Sequence, residues 1–181
     1  LPQDVQTMAH DFPVAFFAPA PVVWAAPAPT AEQLQAVVAR LRTAQRPLLI
    51  AGGGVLYGLA TDTLKKFAEQ HGVPVAETQA GKGALPWDHP LQLGAIGVTG
   101  ATAANEAASE ADVVIAVGTR LQDFTTGSWS LFSDDTRFIG LNTARFDARK
   151  HTTSAISSAA NASVAVRIVS ANAVNLILLS L

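Results

Sequence analysis

Hydrophobic residues recur with a helical period where the patterned part of this chain begins. Between residues 31 and 44 they fall three and four positions apart, which places them on one face of a helix. These positions are Leu34, Val37, Val38 and Leu41. Because Thr30 followed by Gln33 is a capping-box pattern, a helix is predicted over residues 31–44.

A second pattern consists of short, mostly apolar runs. Runs of this kind are typical of strands that are buried on both faces of a parallel sheet. They are PLLIA at residues 47–51, VPVAET at 73–78, DVVIAV at 112–117 and RFIGL at 137–141. Glycine or asparagine directly follows three of these runs and marks the end of a strand. We therefore predict four strands at these positions.

Helical patterns separate the predicted strands. Residues 59–70 form a second helix that stops at Gly72, and residues 101–111 form an alanine-rich helix that can pack close to a sheet. The second helix is expected to bury Leu59, Leu64, Phe67 and Ala68. Residues 79–99 contain several glycines and prolines and are predicted to be a long loop.

Strands that alternate with helices at these spacings specify right-handed crossovers between parallel strands. The predicted fold class is therefore α/β, with three layers. A parallel, Rossmann-like sheet forms the middle layer, and helices cover both of its faces.

Composition limits the classes of function. The chain has 181 residues, 49% hydrophobic and 14% charged, which suffices for the core of one domain. A formal net charge of −2 gives no field that would gather nucleic acid or anionic lipid. The absence of Cys excludes thiol nucleophiles, disulfides and thiolate metal sites, and makes the cytoplasm the default location. We expect small molecules or protein surfaces as partners.

Two uncharged segments are too broken or too short to span a membrane. Residues 12–31 contain five prolines, which would interrupt a helix, so residues 1–29 are predicted to be an extended linker or arm. The run after Arg167 has 14 residues, fewer than the ~20 that a spanning helix needs. Because the chain begins Leu-Pro without an initiator Met, we expect it to be an excised fragment.

Glycine-rich turns follow the strands or precede the helices, where open α/β sheets bind ligands through backbone N–H groups. The candidate binding residues are Gly52, Gly53, Gly54, Gly81, Lys82, Gly83, Gly97, Gly100, Thr119 and Arg120. Glu77, at the end of the second strand, stands where a ribose-binding acid of a dinucleotide site would be placed. Tyr57 replaces the third glycine of that fingerprint, so plain turns are favoured over a standard NAD site.

Two cations among these candidates have alternative interpretations. Lys82, between two glycines, could pair with a phosphate or remain a solvated loop residue. Arg120, just past a strand end, could form an ion pair with a ligand or an interface, or could be simply exposed.

No other side chains indicate catalysis or metal binding. The four histidines, His10, His71, His89 and His151, lack metal-ligand spacing, so no metal site is assigned. His71 is expected to interact with a helix dipole, and Asp88 with His89 to form a turn. Ser128 and Ser130 lack a nucleophile elbow. No catalytic residue is assigned.

Several motifs in order resemble the central domain of thiamine-diphosphate-dependent enzymes, the group containing acetolactate synthase and pyruvate oxidase. They are PLLIAGGG, VPVAET, AGKGALPWDHP, LGAIGVTG, AANEAASEADVVIAVGTRLQDF and RFIGLN. The resemblance covers roughly residues 1–151. Within the family, ETQAGKGALPWDHPLQLGAIGVTG and GTRLQDFTTGSW are most similar to hydrolases that open a cyclic 1,2-diketone in inositol catabolism.

The resemblance implies a structural, interdomain module rather than a complete enzyme. Such enzymes hold thiamine diphosphate and Mg in flanking pyrimidine- and diphosphate-binding domains, and the Gly-Asp-Gly motif of the latter is absent here. The isolated domain is therefore expected to be inactive, inside a parent enzyme that forms homo-oligomers. The alternative is a module that binds FAD or an adenine nucleotide through the glycine turns. Asn142 disfavours FAD, because flavin binders tend to carry an acidic residue there.

The last part of the chain departs from the family pattern. Residues 151–181 contain no Asp or Glu, whereas a family member should have another strand and an amphipathic helix there. Residues 163–170 and 173–181 could each be strand or helix. We predict a central domain over residues 30–150 and an atypical tail over 151–181. The tail is either non-native sequence or an authentic oligomer contact.

Overall fold

The structure is a computed structural model that describes residues 2–19, 29–150 and 154–156, the last three by backbone alone. The predicted elements at residues 163–170 and 173–181 lie outside the described residues. In the amino-terminal segment, helix α1 spans Gln3–Thr7 and a 3-10 turn spans Val14–Phe17, and neither contains a buried residue. This exposed segment lies within the predicted linker.

The described residues form one six-stranded sheet in which every neighbouring pair is parallel. The strands are β1 (Pro47–Ala51), β2 (Val75–Glu77), β3 (Gln92–Ala95), β4 (Val113–Val117), β5 (Arg137–Leu141) and β6 (Ser154–Ile156). Their order across the sheet is β3-β2-β1-β4-β5-β6. The predicted parallel α/β fold is confirmed, and β1 and β5 have the predicted bounds.

Six helices follow α1 in the described part of the chain. They are α2 (Ala31–Thr43), α3 (Gly53–Tyr57), α4 (Thr61–His71), α5 (Thr102–Glu110), α6 (Asp123–Thr126) and α7 (Arg145–Arg149). None of the helices in these described ranges has both the length and the apolar character that a bilayer crossing requires.

Helix α2 begins where its capping box predicts. The Thr30 hydroxyl accepts a bond of 3.3 Å from the Gln33 amide, and the Gln33 side chain accepts one of 3.0 Å from the Thr30 amide. Each bond satisfies a backbone donor that the first helical turn leaves without a partner. The predicted start of this helix is confirmed.

Alternating strand residues build two separate cores. Leu49 packs with Val37 of α2 and Leu64 of α4 on one face of the sheet. Ile50, the next residue, packs on the other face with Ala104 of α5. Because neighbouring strand residues point to opposite faces, uniformly apolar strands require a helical layer on each side. The prediction of helices on both faces is confirmed, and Ala104 lets α5 lie close to the sheet.

The predicted loop over residues 79–99 contains an additional strand, β3. This strand has four residues, lies at the edge of the sheet and is only partly buried. Gly94 has a φ of +93°, and its amide donates to the Gln92 side chain at 2.9 Å. So short a strand owes its order to pairing with β2, which the local apolar pattern does not reveal.

The prediction that Leu59 is buried inside the second helix is wrong. Helix α4 begins at Thr61, and Leu59 is 87% exposed with a φ of +49°. The residue lies in a turn after α3, where its amide donates to Leu56 at 3.0 Å. Ala60 instead takes the fully buried position before α4. Helix α3 fixes the position of this turn. The sequence did not predict α3, because the glycines at its start indicated only the end of β1.

His71 is the last residue of α4. Its ring packs on Phe67 with centroids 4.8 Å apart. His71 is the basic residue in the last turn of α4, as predicted, and burial lowers its pKa, which favours the neutral ring. Its interaction with the helix dipole stays a prediction. Within the described ranges, its Nε2 atom is buried without a hydrogen-bond partner.

Asp112 joins the amino-terminal end of the sheet to the chain leaving α2. Its carboxylate accepts bonds of 2.7 and 2.9 Å from the amides of Gln45 and Arg46. The predicted strand therefore starts one residue later, at Val113, while Asp112 acts as a cap. Burial raises the pKa of Asp112, but these amides and those of Val113 and Asp112 itself outweigh burial and lower it overall.

Candidate functional site

The carboxyl ends of β1 and β4 contact each other through the backbone atoms of glycines. A Cβ atom on Gly54 would lie 2.6 Å from the Cα atom of Gly118, and one on Gly52 would lie 2.4 Å from the Gly118 oxygen. The Gly54 amide donates to that oxygen at 3.0 Å, and the Gly52 amide donates to Val117 at 2.8 Å. We call this contact between residues 52–54 and 118–119 the glycine junction. Its glycines permit close packing, and these two amides are already bonded.

The turn after β2 rests on the same junction. A Cβ atom on Gly81 would lie 2.1 Å from the Ala51 oxygen, and one on Gly53 would lie 3.2 Å from Ala80. The Gly81 amide donates to the Thr78 hydroxyl at 3.1 Å. Gly81 therefore has no space for a side chain, and at Gly53 a side chain would fit only if its neighbours shifted by a few tenths of an ångström.

Beyond β3, Gly97 is enclosed in a similar way. Its φ is +119°, and a Cβ atom there would lie 2.4 Å from the Phe124 oxygen. The Asn105 side chain accepts from the Gly97 amide at 3.0 Å and donates to the Gly97 oxygen at 2.9 Å. Gly100 closes this turn by donating to Gly97 at 2.9 Å. Sequence reasoning missed Asn105, whose one signal was a polar residue early in an alanine-rich helix.

Thr119 and Arg120 differ in their surroundings. The Thr119 hydroxyl accepts from the Leu121 amide at 3.2 Å, and its backbone oxygen accepts from the Asn142 side chain at 3.0 Å. Leu121 is buried with a φ of +46°, whereas Arg120 is exposed. Asn142 thus binds the turn after β4 to the turn after β5. The side-chain amide of Asn142 therefore has a structural role, at the position where flavin binders tend to carry an acidic residue.

Glu77 has two hydrogen bonds to the loop that follows β2. Its side chain is buried, at 6% exposure, and its carboxylate accepts from the amides of Gly83 at 3.2 Å and Leu85 at 2.9 Å. Backbone amides are suitable partners for a buried carboxylate. The residue considered as a ribose ligand therefore positions the loop that contains Lys82.

His89 fixes the far end of that loop. Its Nδ1 atom accepts from the Leu91 amide at 3.2 Å, so Nε2 carries the proton and donates to Glu69 of α4 at 3.2 Å. The His89 amide also donates to Pro86 at 3.1 Å, which confirms the predicted turn at Asp88 and His89.

A cleft of about 1060 Å³ opens between this loop, β3 and α6. Residues from all of these elements and from α4 line it, including Lys65, Lys82, Gly83, Trp87, Ile96 and Phe124. Trp87 is 90% exposed and Phe124 is 51% exposed. We call this space the loop cleft. Of the ten predicted binding residues, Lys82 and Gly83 line it, and the other eight do not.

The site does not fit a metal-diphosphate group. Across residues 2–19, 29–150 and 154–156, no three carboxylate or imidazole side chains are grouped in a way that could hold a metal ion. The sequence also contains no Gly-Asp-Gly. The glycine turns at this site support one another through backbone hydrogen bonds and close contacts.

Together, the parallel sheet and its rim of closed glycine turns define a Rossmann-like α/β domain. Residues 34–168 match the family described as the central domain of thiamine pyrophosphate enzymes. The chain belongs to this family, which confirms the resemblance seen in its motifs.

Two curated relatives and one solved structure show how the chain compares. It is 49% identical over 150 residues to 3D-(3,5/4)-trihydroxycyclohexane-1,2-dione hydrolase of Geobacillus thermodenitrificans, and 45% identical over 151 residues to the enzyme of that name from Clostridium tetani. Each match covers 83% of this chain and 23% of the relative. The chain thus spans about a quarter of the length of these relatives.

The solved structure is a Mycobacterium smegmatis protein described as thiamin diphosphate-dependent. It has a TM-score of 0.67 and 24% identity, covering 84% of this chain and 30% of that one. This likeness shows the fold.

Proposed function

We propose that this chain is the central, structural module of a thiamine-diphosphate-dependent hydrolase that opens a cyclic 1,2-diketone in inositol catabolism. The supporting observation is 45–49% identity, over 150 and 151 residues, to relatives named as hydrolases of trihydroxycyclohexane-1,2-dione. The proposed role of the module is to hold the flanking domains in their working arrangement.

The proposal places the chemistry outside this chain. The chain spans 23% of each of the two relatives, and its described residues have no group suited to a metal ion. The flanking pyrimidine- and diphosphate-binding domains of the parent would hold thiamine diphosphate and Mg. We propose that the parent is a cytoplasmic homo-oligomer in which residues 1–29 are a linker and 30–150 the central domain.

The atypical tail at residues 151–181 remains a separate proposal. The family match extends to residue 168, into this tail, and its acid-free composition is unlike the helix expected there. Translating the coding DNA of the parent gene in all three frames tests whether the tail is native. An in-frame match through Leu181 would contradict a non-native origin and favour an oligomer contact.

Activity of the intact parent tests the main proposal. We expect it to open the diketone ring when thiamine diphosphate and Mg are present, and to lose that activity when both are removed by dialysis against a chelator. The 181-residue chain should show no ring opening under either condition. Ring opening by the dialysed parent, or by this chain alone, would contradict the proposal.

The alternative, binding of FAD or an adenine nucleotide by the glycine turns, has less support. The amides of Gly52 and Gly54 already donate to backbone oxygens in the glycine junction. Calorimetric titration of this chain with FAD and with ADP tests the alternative. Saturable binding at micromolar concentration, about −8 kcal/mol, would favour a nucleotide-binding module.

A further inference from the structure

The loop formed by residues 78–89 is held rigidly along its length. Thr78 binds Gly81 at one end, and His89 bonds to Glu69 of α4 at the other. Between them, Glu77 accepts from two loop amides, and the side chain of Leu85 is buried. A connecting loop with this many buried anchors has little freedom to rearrange. Its exposed side chains are therefore displayed in fixed positions.

The displayed side chains include Lys82 and Trp87. Trp87 is 90% exposed, Phe124 is half-exposed, and both line the loop cleft. A large aromatic residue held in solvent by a rigid loop contributes little to its own domain. Preorganised aromatic side chains of this kind are typical anchors of protein interfaces.

The charged side chains at the loop cleft indicate what kind of partner surface would complement it. In the described part of the chain, Lys82 forms no ion pair, whereas Lys65 lies 4.0 Å from Glu69. Asp62 also lines the cleft, so the free cation is local to the loop rather than a broad positive patch. A partner that offers one carboxylate beside apolar side chains would match both Lys82 and Trp87.

We propose that the loop cleft is a docking site for an apolar segment of a flanking domain of the parent polypeptide, with an Asp or Glu that pairs with Lys82. This inference rests on the proposed function, which supplies the flanking domains. The two relatives above are about four times as long as the matched region, so most of the polypeptide lies outside this chain. A volume of about 1060 Å³ lies at the upper end of small-ligand pockets and suits a polypeptide segment.

The tail of this chain is a poorer candidate for the occupant. Residues 157–181 contain no Asp or Glu to pair with Lys82, and β6, which precedes them in the sequence, lies at the edge of the sheet opposite β3. A second copy of the chain is left as an outcome of the test.

Hydrogen exchange of the intact parent tests the docking. We expect the backbone amides of residues 82–85, 87 and 88 to exchange at least about tenfold more slowly in the parent than in the 181-residue chain. In the parent, Lys82→Glu and Trp87→Ser should each remove most of this protection. The matched controls, Lys66→Glu and Phe146→Ser, change exposed residues outside the cleft and should leave it unchanged. Equal exchange in parent and chain would overturn the proposal.

Zero-length carbodiimide cross-linking of the parent identifies the occupant. The expected product joins Lys82 to an Asp or Glu outside this chain but on the same polypeptide. Mixed isotope-labelled and unlabelled parent distinguishes this product from a link between two copies. Links from Lys82 only to residues of this chain, or only between copies, would overturn the proposal. Because neither readout uses activity, failure of docking is distinguishable from failure of the proposed ring opening.

Discussion

The glycine junction and the loop cleft both lie beyond the carboxyl ends of the strands, yet one is closed and the other is open. At the junction, Gly54 and Gly118 approach so closely that no side chain would fit between them. In the cleft, Gly83 has nothing within 4 Å of its added Cβ position, and Trp87 extends into solvent. A glycine after a strand therefore indicates either backbone packing or access for a partner. The atoms around the missing Cβ distinguish the two.

The largest expected effect compares one glycine from each environment. Gly81→Ala places Cβ 2.1 Å from a buried backbone oxygen, so the free energy of unfolding should fall by at least about 3 kcal/mol. Gly83→Ala meets open space but keeps a φ of +91°, and should cost about 1–2 kcal/mol. Urea denaturation of both variants measures the difference. Equal losses would mean that the close contact at Gly81 has no energetic role.

The next effect concerns the carboxylate that holds the open loop. Glu77→Ala leaves the Gly83 and Leu85 amides without their acceptor, and should cost about 2–4 kcal/mol. Glu77→Gln keeps one acceptor oxygen and is the matched variant, with roughly half that loss. Urea denaturation gives the stability, and hydrogen exchange should show faster exchange at residues 83–85. An unchanged loop in Glu77→Ala would show that packing alone orders it.

Asp112 lies before β4, at the end of the sheet opposite the glycine junction and the loop cleft, and its contribution to stability is expected to depend on pH. Its pKa is below the ordinary value of 3.8, so the folded state favours the charged carboxylate. Its stabilising contribution is therefore complete above the unfolded pKa and is lost as pH falls through the folded pKa. At pH 7, Asp112→Asn replaces charged acceptors of two backbone amides by a neutral one and should lower the free energy of unfolding by about 1 kcal/mol.

Unfolding curves at a series of pH values test this expectation. The difference in the free energy of unfolding between wild type and Asp112→Asn should become smaller as pH falls below 3.8. A difference that stays constant with pH would mean that the charge of this carboxylate is irrelevant to its capping role.

The smallest expected effect on stability concerns the exposed side chains of the loop cleft. Trp87→Ser and Lys82→Glu change exposed side chains that make few contacts within the chain. Each should alter the unfolding free energy of the chain by no more than about 0.5 kcal/mol. Thermal and urea unfolding measure this directly. A loss of unfolding free energy well above that value in Trp87→Ser would mean that Trp87 stabilises its own domain instead of serving as an exposed contact residue.

Local patterns predicted the elements that carry their own signal. The capped period of α2 and the apolar run of β5 lie where the sequence indicates, because each is specified by consecutive residues. Strand β3 was missed because its order comes from pairing with β2. Leu59 was misassigned because the turn after α3 displaced the start of α4.

The sequence indicated which residues belong to the candidate site, but not which of them contact one another. Lys82 and its neighbouring glycines could be selected from the sequence, and they lie at the predicted strand ends. No local signal shows that Gly54 meets Gly118, since the two are distant along the chain and meet only when β1 pairs with β4. The bonds from Glu77 to its own loop were equally hidden, because an acidic residue after a strand also suits a ligand.

Edge strand β3 limits how this domain can meet a neighbour. The outer edge of a sheet is ordinarily a template on which another chain can add a strand. Here the Gly94 amide is already bonded to the Gln92 side chain, and the left-handed backbone at Gly94 bends the edge away from an extended path. Both features disfavour further growth of the sheet in this direction. They favour a neighbour on this side that recognises side chains instead of lengthening the hydrogen-bonded ladder.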